Sequence, residues 1–390
     1  MHVAIVTTFP PSRGTLCEYG EHLVRAYANH PEVSRVTVIG DVIPSGETLN
    51  LSKVAVRRVW RFNDASSAVR IQSALRRVRP DAVVYNLQFA SFGDTRVPAA
   101  LGLLAPMLSR IQGIPTLTLL HNIMETVNLE RAGFGAGWKA RVTRFMGSVF
   151  THALLRSHIV GTTMPNYVEI LERVYGARNV FLSPHGSFGE TQVAPLPEVP
   201  TVMTFGKFGT YKTVEPLLEA HRIILRTDPS VRLVIAGGDS PNAPGYLERV
   251  RAQYATLPNV TFTGYVEEAD VPKVFAESTV VAFPYNSTTG SSGVLHQAGQ
   301  FGRAVVMPNI GDLAALVDTE GYGAEFFEAD DAQSLASALL RVLHDSERAL
   351  NLGVINRTAS QDIPLEDVVT NHLGRLRALK REVRPTIRAT

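Results

Sequence analysis

Short apolar, β-branched runs recur along this chain, each followed by a longer segment with apolar residues at helical spacing, and that alternation constrains the fold most. The first run, Val3-Ala4-Ile5-Val6-Thr7-Thr8, ends at Pro10-Pro11 and reads as a strand buried on both faces. Strands are predicted at 2–8, 35–40, 54–59, 82–87, 115–120, 158–162 and 180–183, with Tyr19–Asn29 and Ala65–Val78 as intervening helices. The pattern restarts at Thr201-Val202-Met203-Thr204-Phe205-Gly206 and continues through 231–236, 259–263, 279–283 and 303–307. Continuous apolar strands alternating with helices imply α/β architecture with parallel sheets covered on both faces. The stretch 189–200 carries three prolines and little periodicity, which places a linker there. The expectation is two doubly wound, Rossmann-like domains, 1–188 and 201–364, facing across a cleft. A last helix at about 365–385 is expected to pack back on the first domain. Ligands of such folds bind beyond the carboxyl ends of the strands.

At 390 residues the chain is too long for one core and suits two domains. A formal charge of +2 is too mild to point to nucleic acid. The single cysteine, Cys17, excludes an internal disulfide framework and cysteine-based metal clusters and fits a reducing compartment. Neither a cleavable leader nor an apolar run of about 18 residues is seen. A cytoplasmic location is therefore expected, with peripheral contact at the inner face of a membrane left open. Residues 134–157 mix Trp138, Phe145 and Phe150 with Lys139, Arg141, Arg144 and Arg156, a pattern shared by membrane-surface helices and ordinary helices with a charged solvent face.

The segment Phe205-Gly206-Lys207-Phe208-Gly209-Thr210-Tyr211-Lys212 lies between a strand and a helix. Glycines let a ligand approach the backbone, and two lysines beside such a turn can reach one anion. No Walker A spacing is present. A second stretch, Gly290-Ser291-Ser292-Gly293-Val294-Leu295-His296-Gln297, opens a helix after an apolar strand. Its N–H groups suit phosphate, or Ser292 simply caps the helix. His296 is either ligand-facing or packed. In the first half, Phe9-Pro10-Pro11-Ser12-Arg13-Gly14-Thr15 follows the first strand, and His121-Asn122 and Asn86-Leu87-Gln88 end two others.

The ordered run GKFGTYKTVEPLLEAH, VRLVIAGGD and VTFTGYVEEADVPKVFAEST resembles the C-terminal domain of the family-4 retaining glycosyltransferases (GT-B fold, glycosyl transferases group 1). The resemblance spans roughly residues 200–320. It implies that Lys207 and Lys212 hold a donor diphosphate, with Gly206 and the Ser291–Val294 amides, and stabilise the departing charge. Relatives place a Glu-x7-Glu pair around the second turn; here Thr289 and Gln297 occupy those positions. Gln297 can still bond a ribose through its amide, and Thr289 can donate or accept once. Some polysaccharide-building members carry a Ser-Gly-Val-Leu turn instead of the acidic motif. The resemblance further places Gly14 and Thr15 over the reacting phosphate and His121 against the donor sugar, with Asn86, Gln88 and Asn122 on the acceptor side. Pro184-His185-Gly186 is similar to the family's Pro-His-Gly before the linker.

The implied activity is sugar transfer from a nucleoside diphosphate to a hydroxyl acceptor (polysaccharide, lipid-linked or small-molecule) with retention. No cofactor or metal is expected. Two alternatives use the same fold: a nucleotide-sugar isomerase such as a 2-epimerase, and a non-catalytic nucleotide-sugar-binding or scaffold subunit.

Overall fold

The computed structural model describes residues 1–43, 50–126, 138–189, 191–240, 243–288 and 290–387, with backbone alone at 138–144 and 382–387. The chain forms two compact units. The first comprises Met1–Thr126, Trp138–Pro184 and the chain from Leu365 onward; the second includes His185–Pro364.

In unit 1, β1 (His2–Val6), β2 (Arg35–Asp41), β3 (Val54–Trp60), β4 (Ala82–Leu87), β5 (Thr116–Leu120), β6 (Ile159–Thr162) and β7 (Val180–Leu182) form one parallel sheet. Their order is β3-β2-β1-β4-β5-β6-β7. Val3–Val6 and Ala82–Tyr85 are fully buried, because parallel strands carry helices on both faces. Those helices are α1 (Cys17–Asn29), α2 (Ser67–Val78), α3 (Arg96–Gly102), α4 (Ala105–Ile111), α5 (Trp138–Leu154) and α6 (Pro165–Tyr175). Phe145, Met146 and Val149 of α5 are exposed. Among the described residues, no helix is long and apolar enough to cross a membrane.

A terminal helix (Leu365–Ile387) also belongs to unit 1. Its His372 is fully buried between the Tyr27 hydroxyl, 3.0 Å from Nδ1, and Ser183 Oγ, 2.7 Å from Nε2. Burial, followed by the Arg375 charge, pushes the imidazole down to about 3. A base with a depressed folded pKa contributes stability that is whole above its unfolded value near 6.5 and is lost as pH falls through the folded one. At pH 4.5 that loss is about 2–3 kcal/mol. Melting of wild type and His372→Gln at pH 7.5 and 4.5 should therefore show a smaller acid-induced drop in the variant. Equal drops would contradict this assignment.

Unit 2 repeats the architecture. Here β8 (Thr201–Phe208), β9 (Arg232–Asp239), β10 (Val260–Gly264), β11 (Val280–Ala282), β12 (Ala304–Pro308) and β13 (Glu325–Phe327) pair in parallel in the order β10-β9-β8-β11-β12-β13. The helices are α7 (Glu215–Ile224), α8 (Tyr246–Gln253), α9 (Val271–Ala276), α10 (Gly293–Gln300), α11 (Gly311–Glu320), α12 (Ala332–Leu343) and α13 (Ser346–Gln361). The three-residue β13 lies outside the strands expected from sequence; it is too short to show periodicity.

The proline-rich stretch before β8 is fastened to unit 2. Thr191 Oγ1 donates to Gln300 O at 2.6 Å, and the buried Arg303 guanidinium donates to Pro195 O, Phe275 O and Ala276 O. The entry and exit of unit 2 run side by side, Ser187 N donating to Ile363 O at 2.9 Å.

Candidate functional site

Each sheet has one point where neighbouring strands send their connections opposite ways, and ligands of doubly wound folds gather beyond the carboxyl ends there. In unit 2 that point lies between β8 and β11. The lysine loop leaves β8, and the glycine–serine turn follows β11.

Gly206 pairs with Gly237 and Lys207 with Gly238 across β8 and β9. Gly237 has φ +133°, and a Cβ there would meet Gly206 O at 1.9 Å. Only glycine permits both that dihedral and that approach. The loop closes with Gly209 N donating to Lys212 O at 3.1 Å, Gly209 itself at φ +107°. Lys212 Nζ then lies 4.9 Å from the Tyr285 ring centroid and 5.9 Å from that of Tyr211. A Cβ on Gly206 would stand 3.9 Å from the same ammonium. Lys212 therefore reaches back across Gly206 against an aromatic wall, a favourable setting for a cation. Burial works against its charge, but Tyr285 and then Tyr211 outweigh that, and its pKa is held above the usual lysine value. Asn286 N donates to Tyr211 O at 3.4 Å, tying the two loops together. Behind them the Tyr246 hydroxyl accepts from Val214 N at 2.8 Å and donates to Glu215, fixing the start of α7.

The second turn is clamped from α11. Gly290 N, at φ +76°, donates to the buried Asp312 carboxylate at 2.9 Å, and Thr288 Oγ1 accepts from Leu313 N at 3.3 Å. Thr289 lies outside the described residues. Ser292 caps α10 by accepting from Leu295 N. The helix then starts at Gly293 with Val294 buried, while Ser291, Ser292 and Gln297 are half-buried. The first N–H groups of any helix lack intrahelical partners and carry partial positive charge, so this start supplies an anion-accepting edge at the lysines' switch point.

His296 is packed and does not face outward. Its side chain is almost fully buried, its ring stacked on His185 with centroids 4.7 Å apart and planes 7° apart. His185 lies just below the turn, because a Cβ on Gly293 would touch its Nε2 at 3.3 Å. Burial, and then the neighbouring His185, hold the His296 pKa well below the ordinary imidazole value.

In unit 1 the corresponding point lies between β1 and β4. A crevice there is lined by Thr7, Thr8, Thr15, Asn86 and Ser91, among others, so it gathers two predicted site residues. Thr8 Oγ1 donates to Thr15 O at 2.6 Å, and Gly14 N to Ser12 Oγ at 3.2 Å. Ser12 in turn donates to Asp41 at 2.6 Å. The hydroxyl of Thr7 donates to Thr8 O, so its oxygen accepts from Asn86 Nδ2 at 3.0 Å. That leaves Asn86 Oδ1 to accept from His121 Nε2 at 2.7 Å. The chain of donors places the His121 proton on Nε2. Tyr19 packs edge-on against the imidazole at 4.6 Å. Asn86, read from sequence as an acceptor contact, is buried and spends its amide orienting His121. Asn122 Oδ1 accepts from Phe89 N at 3.2 Å, and Gln88 N donates to Ser91 Oγ at 2.8 Å.

Sequence reasoning missed Tyr211, Tyr285, Asp312 and the Glu215–Tyr246 pair. Tyr285, Asp312 and the Glu215–Tyr246 pair act through partners distant in the chain, and Tyr211, next to Lys212, carries no spacing that marks it as part of an aromatic wall.

Residues 199–345 match the family described as Glycosyl transferases group 1. No curated protein matches the chain. Among solved structures, the chain is similar to sucrose-phosphate synthase from Thermosynechococcus elongatus, at 19% identity over 100% of both chains with a TM-score of 0.72. It is also similar to the trehalose-6-phosphate synthase OtsA, at 12% identity over 97% of this chain and 99% of that one, TM-score 0.69. A third neighbour is Anabaena HepE in complex with UDP-glucose, at 15% identity over 100% of both chains, TM-score 0.67. At these identities the likeness is one of fold. Within the second unit, residues 199–345 thus match a glycosyl transferases group 1 domain, and the chain has two parallel-sheet, Rossmann-like domains whose fold matches that of GT-B glycosyltransferase structures.

Proposed function

We propose that this protein is a retaining glycosyltransferase that moves a sugar from a nucleoside diphosphate to a hydroxyl acceptor. The observation that carries the reading is Lys212, held protonated across Gly206 at the switch point where α10 also begins. An ammonium and a helix N-terminus at one strand edge form a fixed positive field, suited to a diphosphate in the ground state and more so as it departs. The group 1 match over residues 199–345 supports the same assignment. That HepE was solved with UDP-glucose makes UDP the first nucleotide to test.

In this reading unit 2 binds the donor and unit 1 the acceptor. Lys207, Lys212 and the Ser291–Val294 amides take up charge as the bond between the anomeric carbon and the phosphate oxygen breaks. The acceptor oxygen bonds to that carbon on the same face, and its proton passes to the departing phosphate. The family resemblance supports His121 as a further donor-sugar contact, its Nε2 proton being held by Asn86 Oδ1. Gln297 takes the ribose through its amide. With lysines and a helix terminus neutralising the diphosphate, divalent metal is not required.

Incubation with UDP-sugars and an acceptor panel, followed by proton NMR of the product, tests this. The expected product keeps the donor's anomeric configuration, and chelator leaves the rate unchanged. Inversion, or abolition of transfer by chelator, would refute the mechanism. Binding of nucleotide without turnover on any acceptor would favour the scaffold reading, for which the neutral Gln297 is the motivating observation.

A further inference from the structure

The wall behind the glycine–serine turn holds four groups the mechanism does not use. His296 Nε2 lies 3.0 Å from Ser291 Oγ, and its Nδ1 lies 2.8 Å from the Tyr322 hydroxyl and 3.6 Å from Glu320 Oε2. The Glu320 side chain is 7% exposed, and its Oε2 has no hydrogen bond among the described residues. His185 covers the other face of the imidazole. The α13 groups on this side are neutral: Ser360, whose hydroxyl reaches His296 O, and Asn356, bonded to Gly323 N and Arg303 O. The nearby cations, Arg303 and Arg357, are turned to carbonyls elsewhere.

We propose that Glu320 sets the tautomer of His296 and, through it, whether the Ser291 hydroxyl donates toward the diphosphate or is drawn inward. Both residues are positioning groups, and the inference rests on the donor-site reading above. A neutral imidazole has one N–H and one lone pair. With Glu320 protonated, Nδ1 is surrounded by O–H groups and accepts from Tyr322. Nε2 then carries the proton and donates to Ser291 Oγ, leaving the serine O–H to point outward at an anion. With Glu320 ionised, an acceptor-only carboxylate draws the ring proton to Nδ1. Nε2 becomes the lone-pair side and accepts a hydrogen bond from Ser291 Oγ. The turn then presents oxygen lone pairs to the diphosphate, which is repulsive.

Burial pushes the Glu320 carboxyl up to about 8, and burial, then the Glu320 charge, raise the Tyr322 phenol. Tyr322 therefore stays protonated across the range in which Glu320 titrates. The sign follows: donor affinity is full below pH 7 and falls as pH rises through the Glu320 value.

The test uses full-length protein labelled with 15N-histidine, wild type and Glu320→Gln, with His296→Gln to assign the signal. The histidine tautomer is read by two-bond 15N–1H correlation from pH 6.5 to 9.5 without ligand, and UDP affinity by calorimetry over the same range. Wild type should change from Nε2–H to Nδ1–H with a midpoint near the Glu320 value, while Glu320→Gln keeps Nε2–H throughout. UDP affinity of wild type should fall about tenfold more than that of Glu320→Gln between pH 7 and 9.5, the size of one hydrogen bond to a charged group. Ser291→Ala should remove the difference. UDP binding with an unmoved His296 tautomer would overturn the switch and leave the donor site standing. A moving tautomer with no UDP binding at any pH would overturn the donor assignment instead.

Discussion

Under the proposed function, Lys212→Ala is expected to lower the rate constant of transfer by about 10²- to 10³-fold, the usual effect of removing one preorganised positive group from a developing oxyanion. The geometry makes the loss severe, because the ammonium is fixed by its surroundings before the donor arrives. Tyr285 and Tyr211 flank it and Gly206 leaves room for its approach. A lysine that had to be ordered during reaction would be worth less. Lys212→Arg keeps the charge but spreads it over a longer, planar group that displaces it from the ammonium position, and is expected to recover about a tenth of the lost rate or less. Thermal stability should stay within about 1 kcal/mol of wild type in both variants, as for other substitutions that leave no buried group unpaired. Single-turnover kinetics with a melting control checks this. An equal fall in stability and activity would mean that Lys212 is a strut of the loop and not a charge aimed at the ligand.

Gly237→Ala has the largest expected effect on the fold. The position needs φ +133°, and a Cβ would lie 1.9 Å from Gly206 O on the neighbouring strand. No rotamer relieves that overlap; β8 and β9 must part, at a cost of about 4 kcal/mol or more. The adjacent residue is the control. A Cβ on Gly238 would meet nothing nearer than 4.0 Å, so Gly238→Ala should cost about 1 kcal/mol or less. Denaturant melts of both, with limited proteolysis to locate the opened segment, give the comparison. Similar stability of the two variants would refute the close approach of β8 and β9. The link to function is direct, since Lys207 follows Gly206 on the strand that would be displaced.

How much of this could be read beforehand follows from where each feature is encoded. Strands such as Val3–Val6 and the Ala82–Tyr85 stretch are buried on both faces and therefore appear as unbroken apolar runs. Their order along the chain, with helices between them, dictates parallel pairing. Short strands such as β13 are set by their neighbours in the sheet and leave no periodic trace. The lysine loop is legible because its glycines and cations cluster within residues 206–212. The reason for Gly237 is not, because it lies in a carbonyl on another strand. Likewise His296 looked ambiguous in isolation: one residue decides its role only when His185, Tyr322 and Glu320 surround it. Asn86 sits at a strand end, where an outward role is a natural reading, yet Thr7 and His121 claim both ends of its amide.

The central claim is that the loops after β8 and β11 form a nucleoside-diphosphate site, and calorimetric titration tests it most directly. Wild type and a Lys207→Ala/Lys212→Ala double variant would be titrated with UDP, GDP, ADP and dTDP in the presence of chelator. The account predicts that one nucleotide binds wild type with micromolar affinity and that the double variant loses at least about tenfold, the scale of charged hydrogen bonds to phosphate. Binding of none of the four, or equal affinity in the two proteins, would contradict it.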